Sequence, residues 1–130
     1  MSSESLHEAR EALPADVVDM HRAIQSLIEE LEAVDWYAQR VAASGDAELR
    51  EVLAHNRDEE KEHACMTLEW IRRRDPCFDA MLRRYLFRAG SIVEAEEQAE
   101  SAEHGAPDGR SAGRRAEPSL GLGSLRAEAS

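Results

Sequence analysis

Apolar positions between residues 20 and 41 follow a single rhythm. Met20, Ile24, Leu27, Leu31, Val34, Ala38 and Val41 are separated by steps of 4, 3, 4, 3, 4 and 3 residues, the heptad spacing of a helix that packs lengthwise against another helix. Pro14 suits the first turn of that helix. The stretch "ASGDAE" at 43–48 ends it, with Gly45 expected as a C-terminal cap and Asp46 as the N-cap of a second helix. The spacing resumes in Leu49, Leu53, Asn56, Glu60, His63, Thr67 and Trp70, but here the middle of the seam is polar. Asp75 and Pro76 then restart a short helix with Phe78, Met81, Leu82, Tyr85 and Leu86 on one face, suited to covering an end of the hairpin or meeting a second subunit. No strand-like alternation and no internal repeat is present.

This pattern divides the chain. Residues 1–13 are polar and aperiodic, and are expected to be disordered; residues 14–89 form a helical domain; residues 90–117, dominated by Ala, Gly, Ser, Glu and Arg, are expected to be a disordered linker before a distinct segment at 118–130. The expected fold is all-α, an antiparallel two-helix hairpin with a short helix after it. A hairpin of this size buries too little surface to be stable alone. Two hairpins associating into a four-helix bundle would remedy that.

Charge narrows the partners. A net charge of −11 disfavours nucleic acid and anionic membrane, whose phosphates would be repelled; it suits cations, or simply a soluble surface. Cys65 and Cys77 lie 12 residues apart in no zinc-binding or disulfide pattern, and read as small core residues in a reducing cytoplasm. No apolar run approaches the ~18 residues of a membrane helix, and "MSSESLHEAREALP" lacks the basic and apolar regions of a signal peptide. The expectation is a protein kept inside the cell. Fifteen of the sixteen basic residues are arginine, to which no function is attached.

The polar seam carries the chemistry. An ionised Glu60 at a core position needs compensation, because an unpartnered buried carboxylate costs several kcal/mol or keeps its proton. In the spacing Glu60-x-x-His63 both side chains lie on one helix face and can reach one metal ion. Glu30 stands fifteen residues before Gly45 and Glu60 fifteen after it, so both lie roughly 22 Å from the turn on antiparallel helices. Glu30, Glu60 and His63 therefore converge. Di-iron carboxylate bundles take one Glu from each of two helices and a Glu-x-x-His pair from each of the other two. One chain here supplies half of that set, and two chains related by a two-fold axis supply all of it.

The stretches "HRAIQSLIEELEAVDWYAQRV" and "LAHNRDEEKEHACMTLEWIRR" resemble the encapsulated ferritins, two-helix members of the ferritin-like superfamily carried as cargo inside encapsulin nanocompartments. The resemblance runs from about His21 to Phe87. It implies a ferritin-like four-helix bundle with a ferroxidase centre at a subunit interface, where Glu30, Glu60 and His63 hold two irons per dimer interface. It further implies a decameric ring of five dimers, with Glu29 and Glu32 as an acidic pair that attracts iron or another divalent cation and passes it inward, and Trp36 and Tyr37 close by. "PSLGLGSLRAEAS" at 118–130 is similar to the encapsulin targeting peptide, with Leu120, Leu122 and Leu125 as its apolar anchors on the inner wall of the shell. The implied activity is oxidation of Fe(II) to Fe(III) by O2, with storage delegated to the shell.

Read without the resemblance, several residues stay open. Glu29 and Glu32 are ordinary solvated glutamates, and Trp36 and Tyr37 are packing or interface aromatics. His7, His21, His55 and His104 are structural or exposed, and Asn56 either fixes register or hydrogen-bonds near a ligand. Two rival functions fit the same residues: a non-catalytic helical cargo adaptor whose polar seam sets dimer register, and a di-metal carboxylate enzyme of manganese or peroxidase type, since these ligands do not select iron over manganese.

Overall fold

The computed structural model describes residues 5–104. Its elements are a short 3-10 turn at Arg10–Ala12 followed by α1 (Ala15–Ala43), α2 (Ala47–Arg74), α3 (Pro76–Tyr85) and α4 (Ile92–His104). Among the described residues there is no strand. The fold is all-helical, as the periodicity predicts, with two additions. The 3-10 turn lies in the 1–13 stretch expected to lack structure, and α4 occupies the first half of the expected linker at 90–117. The physical reason for α4 is compositional: Ala and Glu mark a weakly apolar segment, but they are also strong helix formers. Ser91 starts the helix, its Oγ accepting from the Glu94 N–H at 3.1 Å. The segment 118–130 lies outside the described residues.

Polar side chains set the helix boundaries. Gly45 is not the expected left-handed cap: α1 ends on Ser44 in an extended conformation, and Gly90 is the glycine with a positive φ among those described. Ser44 Oγ accepts from the Asp46 N–H at 3.2 Å, and Asp46 Oδ1 accepts from the Leu49 N–H at 2.8 Å. Two short polar side chains thus make the turn that a glycine was expected to make, and Asp46 caps α2 as its position predicts. Asp75 repeats the device for α3, accepting from the Phe78 N–H at 2.9 Å with Pro76 in the first turn.

Two compact units divide at Ile71. In the first, α1 and α2 run antiparallel: Glu30 meets His63, while Asp19, Arg22, Ala23 and Ser26 share a cleft with Met66, Thr67 and Trp70. The core of this pair is small. Among the described residues only Val18, Ala64 and Ile71 are buried, and Ala64 and Ile71 each stand one position past the seam residues His63 and Trp70. Ile24 and Leu31, both in the heptad seam, are exposed. The hairpin therefore closes on a stripe beside the seam and leaves part of the seam unpartnered. Cys65, expected in the core, is exposed, whereas Cys77 is half-buried; neither is in a disulfide.

The second unit begins at Arg72. Asp79 of α3 accepts from Arg72 and from Arg83, the latter at 3.0 Å, and these two guanidinium hydrogen bonds hold its carboxyl below the usual range. α4 packs on α3, with Arg84 Nη2 at 3.7 Å from Glu103 Oε2.

Candidate metal centre

Antiparallel pairing brings residues thirty apart in sequence to one level. An oxygen of Glu30, an oxygen of Glu60 and a nitrogen of His63 all lie within 4.8 Å of one another. The imidazole presents Nδ1 to the carboxylates, 3.3 Å from Glu60 Oε1 and 3.7 Å from Glu30 Oε2. Both Glu side chains are about three-quarters buried, at 23% and 25% exposure, while His63 is 48% exposed. The cluster is consequently open on the side of the imidazole.

Electrostatics describe a site short of positive charge. Removal from water raises the pKa of Glu30, as do a hydrogen bond with Glu60 and repulsion from the Glu60 and Glu29 carboxylates; His63 opposes the rise. A proton held between Glu30 and Glu60 is the smallest compensation available. A divalent ion would be a larger one, and the donor set fits it: two hard oxygens and one imidazole nitrogen suit first-row metals such as iron or manganese. Three donors leave the coordination sphere unfilled. The remaining positions would come from water or a second copy.

The sign of the pH effect follows from Glu30. Its folded pKa stands above its unfolded value, so its stabilising contribution is complete below the unfolded value and is lost as pH rises through the folded one. Metal-free wild type should therefore lose melting temperature relative to Glu30→Gln as pH climbs from about 4.3, and the two curves should converge at lower pH. Thermal melts across a pH series in chelator check this. A constant offset between the curves would mean that Glu30 carries no shifted titration.

Other candidates from the sequence take varied places. Glu29 and Glu32 are exposed on α1, neither within the three-residue cluster. Trp36 is exposed beside Gln39 and Arg40, and the Arg40 guanidinium lies 5.3 Å from the Tyr37 ring centroid. His55 Nε2 is 3.3 Å from Glu59 Oε1 on the exposed face of α2. Asn56 and His21 are half-buried, and His7 is exposed. Two features had no sequence signal. Thr67 Oγ1 donates to the His63 carbonyl at 3.0 Å, tying the ligand's backbone to the next turn, and Gln25 Oε1 is buried without a hydrogen-bond partner. A seam threonine reads as packing, and Gln25 lies off the seam.

Known proteins share this arrangement of helices. The profile of the EncFtn-like family matches residues 5–89. An encapsulated ferritin-like protein of Rhodospirillum rubrum is 55% identical over 130 residues, covering 98% of this chain and 92% of its own. A ferritin-like protein of Thermotoga maritima is 49% identical over 96 residues, covering 74% of this chain and 84% of its own. A crystal structure of a Nitrosomonas europaea protein superposes with a TM-score of 0.67 at 60% identity, over 68% of this chain and 98% of that one. Among the described residues, no helix is long and apolar enough to cross a membrane.

Proposed function

The chain belongs to the EncFtn-like family, and from that premise we propose that it is a ferroxidase, oxidising Fe(II) to Fe(III) with O2 at a di-iron centre shared by two copies. The observation that carries this reading is the convergence of Glu30, Glu60 and His63 within 4.8 Å. A solvated acidic face would not bring two largely buried carboxylates and an imidazole to one point. Two copies about a two-fold axis supply four carboxylates and two imidazoles, the complement of a di-iron bundle.

Iron is the substrate in this reading. Each Fe(II) gives up one electron to O2, and the carboxylates stabilise the higher charge of Fe(III) with hard anionic oxygens while His63 Nδ1 contributes a neutral donor. A bound cation favours the ionised Glu30 carboxylate, opposing the burial and the Glu60 contacts that raise its pKa. Glu29 and Glu32, exposed on the same helix, attract cations toward the centre, with Trp36 and Tyr37 one to two turns further on. The unpartnered seam residues Ile24 and Leu31 give a second copy an apolar surface to cover, and a decameric ring of five dimers is the proposed assembly. Fe(III) then passes to storage inside an encapsulin shell, for which the relatives' names supply the context: one is an encapsulated protein, and a 35% identical Myxococcus xanthus relative is an encapsulin nanocompartment cargo protein.

Metal and assembly should be linked, because each copy holds half of the ligands. Anaerobic Fe(II) is expected to shift the mass distribution toward dimers and rings across a dilution series, with about one iron retained per chain after gel filtration. Identical distributions with and without Fe(II) would rule out a shared centre and favour an adaptor whose polar seam sets register.

A further inference from the structure

Charge is laid along the second unit in opposed blocks. Residues 72–88 hold Arg72, Arg73, Arg74, Arg83, Arg84 and Arg88 against Asp75 and Asp79, whereas residues 92–103 hold Glu94, Glu96, Glu97, Glu100 and Glu103 with no cation. α4 is a poor helix by itself. Thirteen residues are marginal in water, Glu96 and Glu97 repel Glu100 across one turn, Glu100 repels Glu103, and Glu100 and Glu103 sit at the end of the helix where negative charge is unfavourable. Its seat on α3 supplies what it lacks.

Apolar burial does not hold that seat. The large side chains Ile92 and Val93 are exposed at 72% and 65%, and only Ala95 and Ala99, one turn apart, are half-buried among its described side chains. Two partly covered methyl groups contribute little. What remains is the Arg84 guanidinium of α3, its Nη2 3.7 Å from Glu103 Oε2. The connection adds tension, since Phe87 takes a left-handed φ of 62° that a bulky residue adopts at a cost.

We propose that α4 is a conditional helix, an acidic strap that is ordered only while it is paired with Arg84 of α3 and that unfolds when that charge is screened or met by another anionic surface. Folding and docking of α4 are then one equilibrium. Partly exposed ion pairs are individually weak and salt-sensitive, so the balance is close and can be tipped from outside.

Amide hydrogen exchange of residues 92–104 in the full chain tests this, because it reads the local opening equilibrium. Between about 0.02 M and about 1 M sodium chloride, exchange in α4 should accelerate by about fivefold or more while α1 and α2 keep their protection. Arg84→Glu should reproduce the high-salt behaviour at low salt, and Arg84→Glu combined with Glu103→Arg should restore protection. The proposal is overturned if α4 is equally protected in every salt and variant, if it is unprotected at the lowest salt, or if the charge swap does no better than the single reversal.

Discussion

Replacing Glu60 or His63 with alanine should slow Fe(II) oxidation by about two orders of magnitude or more, since ligand loss exceeds the 10–100-fold cost of disturbing a ligand's supporting contacts. Helix content should stay near wild type, because both side chains project from the middle of a 28-residue helix and neither belongs to its core. The metal-free Glu60→Ala protein should be at least as stable as wild type. After burial, the Glu60 carboxylate is the next cause of Glu30's raised pKa, and deleting one of two crowded carboxylates removes that repulsion from the other. Stopped-flow absorbance under limiting Fe(II), with circular dichroism on the same samples, gives both answers. Wild-type oxidation by both variants would remove Glu60 and His63 from the chemistry.

Deleting residues 118–130 should have the opposite profile: oxidation in free solution unchanged, and loading into a co-expressed encapsulin shell lost. Leu120, Leu122 and Leu125 are the large apolar residues of that segment. An assembly carrying many tails binds multivalently, so weak docking of each suffices. Single Leu→Ala changes should accordingly lower the cargo-to-shell ratio in part, and the triple change should lower it nearly as far as the deletion. Truncated protein found inside purified shells at the wild-type ratio would move the address into the helical body.

The level of Glu30 and Glu60 was legible because arithmetic alone carries it: fifteen residues on either side of a tight turn arrive at equal height whatever the turn's conformation. Asp46 and Asp75 were legible as caps for a similar reason, being local chemistry that few tertiary contacts override. The rotation of the hairpin about the seam was not. Periodicity names an apolar stripe but not its partner, and the α1 stripe that faces α2 runs through Asp19, Ala23, Ser26 and Glu30, one position before the seam, leaving Ile24 and Leu31 exposed. Gly45 misled because a glycine after a helix is only a preference, and Ser44 with Asp46 fixed the turn through the Asp46 and Leu49 N–H groups instead. α4 was hidden by its composition, since charged Ala/Glu segments lacking an apolar face read as linkers unless the basic helix beside them is taken into account.

α4 also fixes how far the chain can hold its own terminal leucine motif. If residues 90–117 were all extended, those 28 residues could bridge about 95 Å at most. With α4 formed, 13 of those residues rise about 1.5 Å each instead of about 3.4 Å, and the upper bound falls by about 25 Å. Forming or melting one short helix thereby changes the greatest distance from the body at which residues 118–130 can act, without any change in sequence length.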